Sequence, residues 1–436
     1  MNRRTPPFLT ATATALLGGP LPAAAQQAMA VSGTGPVSDV RSLLTDQRAA
    51  AIPHSTPADV FAAVTTAAAA RQTWSQSSAG CRRSALAGLH TWISRHRTYL
   101  CALLAHGSGL SGADAAAELR DARRTVRHHR TRLPSLASIR RQPPQPPETV
   151  ATHAEDCKPL VSLLEAALPA LLTGSAVISH VSPRTAVLAA RLCAAATASG
   201  LTPGTWQLVV APTGSITAAV LDEHADTVVP RCCPPATAGT YRPGMFIVRH
   251  DADLPTAVVQ ARRACFDRAG RGCTAAPLVV AHDKHHDALL RRLTATAAQL
   301  PAGAMSSLPG SHCVDDFTHF VRRVSADGAD GPFRPVLTGT PRPDIHPYLH
   351  EAVVATAALD PGLPAAVPPG PLAVVVRYSH WSDVLELARH TGRHATVITN
   401  ARATYLAGQF ACLAADDIHL NRHPRHCGRP GRRTSA

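Results

Sequence analysis

Residues able to do chemistry are sparse in this 436-residue chain, and one of them stands in a distinctive setting. Cys273 follows Ala269-Gly270-Arg271-Gly272 at the end of a predicted helix, where two glycines leave room for a substrate to approach a thiol. A thiolate attacks carbonyl carbon, so this position is a candidate for covalent catalysis. Taken by itself, a cysteine in an Ala/Gly-rich stretch is more often packed as a small hydrophobe. The eleven cysteines are irregularly spaced, with no CxxC pair and one adjacent pair, Cys232–Cys233. That pattern argues against a disulfide framework or structural zinc and for a reducing cytoplasm. His282, His285 and His286 open a predicted helix, and His423, His426 and Cys427 fall near the end of the chain. Neither set has an evident carboxylate partner or a closed tetrahedral count, so no metal is expected. Arg127-His128-His129-Arg130 reads as a solvated helix end, favoured by the helix dipole.

The elements that must position these residues follow from periodicity. Residues 1–35 have none and read as a leader. Arg3-Arg4, a mildly apolar run and Ala23-Ala24-Ala25 resemble a twin-arginine export signal, which is the alternative to a cytoplasmic location. Thr56, Pro57 and Asp59 start the first firm helix with a capping box. Helices follow over Arg83–Leu104 and Asp114–Arg132, then an extended linker at Pro143–Pro147. Beyond the linker, helices and strands alternate. Helix Leu160–Leu172, strand Ser175–His180, helix Arg184–Ser199, strand Trp206–Ala211, helix Ser215–Glu223 and strand Thr227–Val229 form the first run. Strand Met245–Arg249, helix Leu254–Ala269, strand Pro277–Ala281 and helix Asp283–Gln299 form the second. A looser stretch, 300–370, holds strands near Val336 and Val353. Strands Leu372–Tyr378, Ala395–Thr399 and Asp417–Leu420 alternate with helices Trp381–His390 and Ala403–Leu413, and the last sixteen residues are basic and structureless. Such alternation predicts an α/β protein built on a doubly wound parallel sheet, followed by a second α/β domain.

The net charge of +14 invites a nucleic-acid reading. Only Lys158 and Lys284 are lysines, however, and the arginines are scattered without a binding motif, so no nucleic-acid partner is expected. No run approaches the roughly 20 apolar residues of a membrane span, so no membrane association is expected either.

Local phrases and their order say more. Leu168-Pro169-Ala170-Leu171-Leu172-Thr173-Gly174-Ser175-Ala176-Val177-Ile178 runs a helix into a strand, and Gly200-Leu201-Thr202-Pro203-Gly204 turns into Trp206–Val210. Asp251-Ala252-Asp253-Leu254 opens the helix that leads to Ala269-Gly270-Arg271-Gly272-Cys273-Thr274. Gly370-Pro371-Leu372-Ala373-Val374-Val375 and Leu385-Glu386-Leu387-Ala388 follow in order. Over residues 40–421 this succession resembles the aldehyde dehydrogenase superfamily. Ser182-Pro183-Arg184-Thr185 makes it most similar to the bacterial succinate-semialdehyde type. The resemblance implies a Rossmann-like NAD(P)-binding domain over 36–236, a catalytic domain carrying Cys273 over 237–415, and a truncated basic tail over 416–436. It also implies oxidation of a small aldehyde to an acid through a thiohemiacetal on Cys273, with NAD or NADP as cofactor.

Carried over residue by residue, the same resemblance exposes departures. The oxyanion-stabilising asparagine falls on Cys157, and the general-base glutamate on Gly239. The lysine that contacts the adenosine ribose falls on His180, near Ser182, the remaining cofactor-side candidate. The phosphate-facing F-T-G-S phrase falls on Pro230-Arg231-Cys232-Cys233, with much of the helix beyond it deleted, and the nicotinamide-ribose glutamate falls on Val367. The P-F-G-G phrase and the final strand used for oligomer formation are missing after Asn421, which puts a homo-oligomer in doubt. Impaired activity is therefore expected. The alternative is a catalytically inactive pseudoenzyme acting as a binding or interaction module.

Overall fold

The structure is a computed structural model that describes residues 33–131, 147–229, 241–301, 305–326, 331–392, 394–413, 415 and 417–424. Most of the predicted leader, the linker up to Pro146, Cys232–Cys233, Gly239, His426 and Cys427 lie outside the described residues. The chain divides into two compact units, Met1–Arg231 and Cys232–Ala436.

The first unit opens with an antiparallel pair, β1 (Val37–Arg41) and β2 (Arg48–Pro53), that periodicity did not reveal. Helix α1 (Pro57–Gln76) begins as its sequence predicts: the Thr56 side chain accepts from the Asp59 N–H, and the Asp59 carboxylate accepts from the Thr56 N–H at 2.8 Å. The predicted helix Arg83–Leu104 is in fact two, α2 (Ala79–Arg95) and α3 (Arg97–Ser108), because His96 leaves the helical region at φ −101°, ψ 31°. Helix α4 is Gly112–Thr131.

The four strands of this unit's parallel sheet are β3 (Thr149–His153), β4 (Ala176–Val181), β5 (Trp206–Val210) and β6 (Thr227–Val228), in the order β5-β4-β3-β6. Strand β3 was not predicted; its five residues are all buried, so it has no alternation to betray it. Helices α5 (Pro159–Thr173) and α6 (Pro183–Ala198) connect β3 to β4 and β4 to β5, and pack with Val177, Val181, Leu208 and Val210 on one face. Helix α7 (Ile216–His224) returns the chain to β6 and, with α1, covers Ala151, Ile178 and Val209 on the other. The winding thus reverses between β3 and β6, the kind of switch point at which open α/β sheets bind ligands.

The second unit is built on a seven-stranded sheet, β13-β12-β7-β8-β11-β10-β9. Its members are β7 (Met245–Val248), β8 (Leu278–His282), β9 (Phe333–Leu337), β10 (Val353–Ala357), β11 (Leu372–Tyr378), β12 (His394–Ile398) and β13 (Asp417–Leu420). All run parallel except β9, which pairs antiparallel with β10. Helices α8 (Leu254–Phe266) and α9 (Asp283–Ala298) follow β7 and β8. Helix α10 (Ser311–Ala326), in the stretch expected to be loose, buries Val314, Phe317, Phe320, Val321 and Val324 on one stripe. The short α11 (Leu363–Ala366), α12 (Trp381–Ala388) and α13 (Ala403–Ala411) complete the unit. The last predicted strand is present as β13, an edge strand paired with β12, and His423 beyond it is buried. Among the described residues no helix is long and apolar enough to cross a membrane.

Candidate active site

Cys273 owes its setting to the way α8 stops. The predicted helix to Ala269 ends instead at Phe266 and gives way to a tight turn, Asp267–Gly270. In that turn Arg268, Ala269 and Gly270 are all left-handed, at φ 56°, 56° and 64°. Two consecutive non-glycine residues there are strained, each by roughly 1–2 kcal/mol. Gly270 is required for a second reason: a Cβ on it would lie 1.9 Å from the Gly370 carbonyl oxygen. The chain then turns through Arg271–Thr274, where Cys273 is half-buried, and enters β8 at Leu278. Cys265, one helix earlier, is the contrast. It is buried, its thiol donates to the Ala276 carbonyl at 3.4 Å, and burial pushes that thiol well above the ordinary range.

The chain beyond β13 closes on this turn. The Thr274 hydroxyl donates to the Pro424 carbonyl at 3.1 Å. The His423 N–H donates to Gln260 Oε1 of α8 at 2.9 Å, and its Nδ1 lies 3.0 Å from the Thr396 hydroxyl of β12. His423 is 8% exposed. Burial, then repulsion from His419, pushes its pKa down to about 3 against the opposing pull of a Cys273 thiolate, with His394 and Arg263 adding to the depression. The imidazole beside the thiol turn is therefore neutral at ordinary pH. Sequence reasoning missed this group: His423 was weighed only with His426 and Cys427 as a metal set. Its partners lie 27 and 163 residues away, so no local pattern could have found them.

In the first unit, the cofactor-side candidates gather at the carboxyl ends of β3 and β4. Cys157 is half-buried and immediately precedes buried Lys158, the N-cap of α5. Its neighbour Asp156 accepts from the Ser182 hydroxyl at 2.6 Å, which brings the 157 and 182 positions together. Ser182 is the N-cap of α6 but spends its hydroxyl on Asp156 rather than on the helix N–H groups. His180 is 1% exposed and turned inward. Its Nε2 donates to the Ala211 carbonyl at 3.0 Å, and its Nδ1 faces His153 Nδ1 at 3.3 Å. His153 Nε2 in turn lies 2.8 Å from Asp222 Oδ1 of α7. This inward pair was not foreseen, because it depends on the β3–β4 register that sets His153 opposite His180.

The remaining candidates are quickly placed. Val367 is a buried apolar residue at the end of α11 and offers no chemistry. His282 caps α9, its Nδ1 accepting from the Lys284 N–H at 3.2 Å, and His285 Nε2 lies 3.0 Å from the His250 carbonyl oxygen. Among the described residues no group of three His, Cys, Asp or Glu side chains is placed to hold a metal ion.

A doubly wound parallel-sheet unit followed by a second, mostly parallel α/β unit defines a two-unit α/β class of protein. The comparisons sharpen that class. The profile of the aldehyde dehydrogenase family matches residues 31–229 and 244–426, and the chain belongs to that family. It is 28% identical over 352 residues to the 3,6-anhydro-alpha-L-galactose dehydrogenase of Streptomyces coelicolor, covering 72% of this chain and 69% of that protein. A structure of 3,6-anhydro-L-galactose dehydrogenase in complex with NADP superposes with a TM-score of 0.74 at 17% identity, over 91% of this chain and 90% of the other. An NAD-dependent benzaldehyde dehydrogenase from Corynebacterium glutamicum gives 0.72 at 18% identity, over 90% and 92%.

Proposed function

We propose that the protein oxidises an aldehyde through Cys273, with NAD or NADP as hydride acceptor, at a turnover below that of relatives with a complete site. The observation that carries this reading is the setting of Cys273, half-buried three residues after a left-handed turn held by the close approach of Gly270 to Gly370. Its thiolate attacks the carbonyl carbon; the C–S bond forms and the C=O π pair moves to oxygen, giving a thiohemiacetal. A dinucleotide bound in the first unit would supply the hydride acceptor. The switch-point crevice at the ends of β3 and β6 fits a dinucleotide in its fold, and Ser182 with the first turn of α6 would hold it. The grip on the ribose is weaker, because His180 commits its ring to Ala211 and His153. Position 239 is glycine, which cannot deprotonate the water that hydrolyses a thioester. Cys157 is a poor substitute for a carboxamide donor, whose loss costs about 10²–10³ in rate.

A second reading, a binding module without turnover, is favoured by one observation, the inward commitment of His180. Calorimetric titration of the full chain with NAD and NADP, followed by an aldehyde panel, separates the two. The expected result is weak binding and slow aldehyde-dependent reduction of the dinucleotide that disappears in Cys273→Ala. Activity that survives Cys273→Ala sinks the thiol mechanism. Folded protein that binds neither dinucleotide removes the dehydrogenase and leaves the binding module.

A further inference from the structure

The carboxamide that by resemblance stabilises the substrate oxyanion is Cys157 in this chain, and the carboxylate that activates the hydrolytic water is Gly239. The thiol's own unit nevertheless brings a polar side chain to the turn. His423 is anchored three ways: by Gln260 on its N–H, by Thr396 at Nδ1, and by the next residue, whose carbonyl accepts from Thr274 beside Cys273. Gln260, which accepts from the His423 backbone N–H, lies on α8, the helix that leads into the thiol turn.

Resting on the thiohemiacetal reading above, we propose that His423 donates a hydrogen bond from Nε2 to the oxyanion formed when Cys273 adds to a carbonyl, in place of the missing carboxamide. The tautomer required is the one in which the Thr396 hydroxyl donates to Nδ1 and the ring hydrogen sits on Nε2. The groups around the ring favour this role over that of a proton acceptor. His419, His394 and Arg263 oppose a second positive charge there, and burial opposes it most, so the imidazole cannot store the thiol's proton and serves as an uncharged donor. A neutral imidazole polarising a carbonyl is an established solution elsewhere. In the step itself sulfur bonds to the carbonyl carbon, the π pair moves to oxygen, and the thiol proton leaves to solvent.

The test separates oxyanion chemistry from thiol access, using the full chain. Acylation of Cys273 by p-nitrophenyl acetate passes through a tetrahedral oxyanion, forms a thioester and expels p-nitrophenolate, and it needs no dinucleotide. Alkylation of the same thiol by iodoacetamide is a displacement at saturated carbon and forms no oxyanion. His423→Phe should slow acylation by about 10²–10³ while alkylation changes less than about threefold. His423→Gln, which keeps an amide donor, should recover most of that loss. Thr396→Val should lower acylation several-fold on its own, and it serves as the second probe if the phenylalanine variant does not fold. Unchanged acylation in both His423→Phe and Thr396→Val overturns the assignment. Acylation and alkylation falling in parallel also overturns it, by showing that His423 only positions the turn. A wild-type protein that alkylates at Cys273 yet never acylates defeats the carbonyl-addition reading itself, an outcome distinct from an active enzyme indifferent to position 423.

Discussion

Gly270 is the residue on which the thiol turn depends most directly. Its φ of 64° is one a side chain rarely adopts, and the Gly370 carbonyl occupies the space a Cβ would need. Gly370 has no room to retreat, since a Cβ at its own position would lie 2.4 Å from the Phe317 ring. Gly270→Ala should therefore cost on the order of 3 kcal/mol, strain and overlap together, and displace Cys273. Urea unfolding of the variant checks the first part and the iodoacetamide rate at Cys273 the second. A loss under about 1 kcal/mol would mean that the turn can rebuild itself. The residue scale was half legible. The sequence singled out Cys273 by its two preceding glycines but carried the helix through Ala269, and Arg268 and Ala269 are left-handed without a glycine to announce it. Tertiary packing holds them there, against local preference.

At the scale of elements, helix ends carry much of the order. The capping box at Thr56 was readable from Thr-Pro-Ala-Asp, because both halves of it are local. Asp59 also accepts from the Thr34 N–H at 3.1 Å, which no local pattern foretells. Burial alone would raise the Asp59 pKa, but the bonds from Thr56 and Thr34 outweigh it and leave it below the usual carboxylate range. A carboxylate whose folded pKa is depressed adds stability above its unfolded pKa and loses it as pH falls through the folded value. Asp59→Asn should cost about 1 kcal/mol at pH 7, with the gap to wild type narrowing below pH 4. Thermal melts at the two pH values test this, and a gap that does not narrow shows the carboxylate's charge to be irrelevant. The other end of α1 relies on a different device. Arg82 donates from Nη1 to the carbonyls of Ser77 at 2.7 Å, Ser75 at 3.2 Å and Trp74 at 3.4 Å, a charge placed where the helix dipole wants one. The unforeseen elements share a physical cause. The wholly buried β3 carries no alternation, and α10 hides in a segment bounded by Gly and Pro that reads as turns.

At the scale of the molecule, the second unit lowers the pKa of several histidines, which makes its stability depend on pH in one direction. His423 takes up a proton in the unfolded chain near pH 6.5 but in the folded chain only near 3. Between those values the unfolded state binds more protons, so stability falls as pH drops through this window. His350, depressed mainly by burial, and His282, depressed by burial and by His250, push the same way. The urea midpoint should decline between pH 7 and 4.5, and His423→Gln should decline less. Equal declines in the two proteins would show that His423 does not stay neutral on folding. Element types and their succession, the alternation that makes an α/β protein and the phrase around Cys273 were all present in the sequence, because periodicity, proline and glycine act over a few residues. Three things were decided by tertiary structure alone: the reversal of winding between β3 and β6, the facing of His153 and His180, and the closing of His423 and Pro424 onto the thiol turn. Each depends on sheet register or on contacts between residues tens to more than a hundred positions apart. Such contacts are selected by the burial of whole faces, which no stretch of sequence expresses by itself.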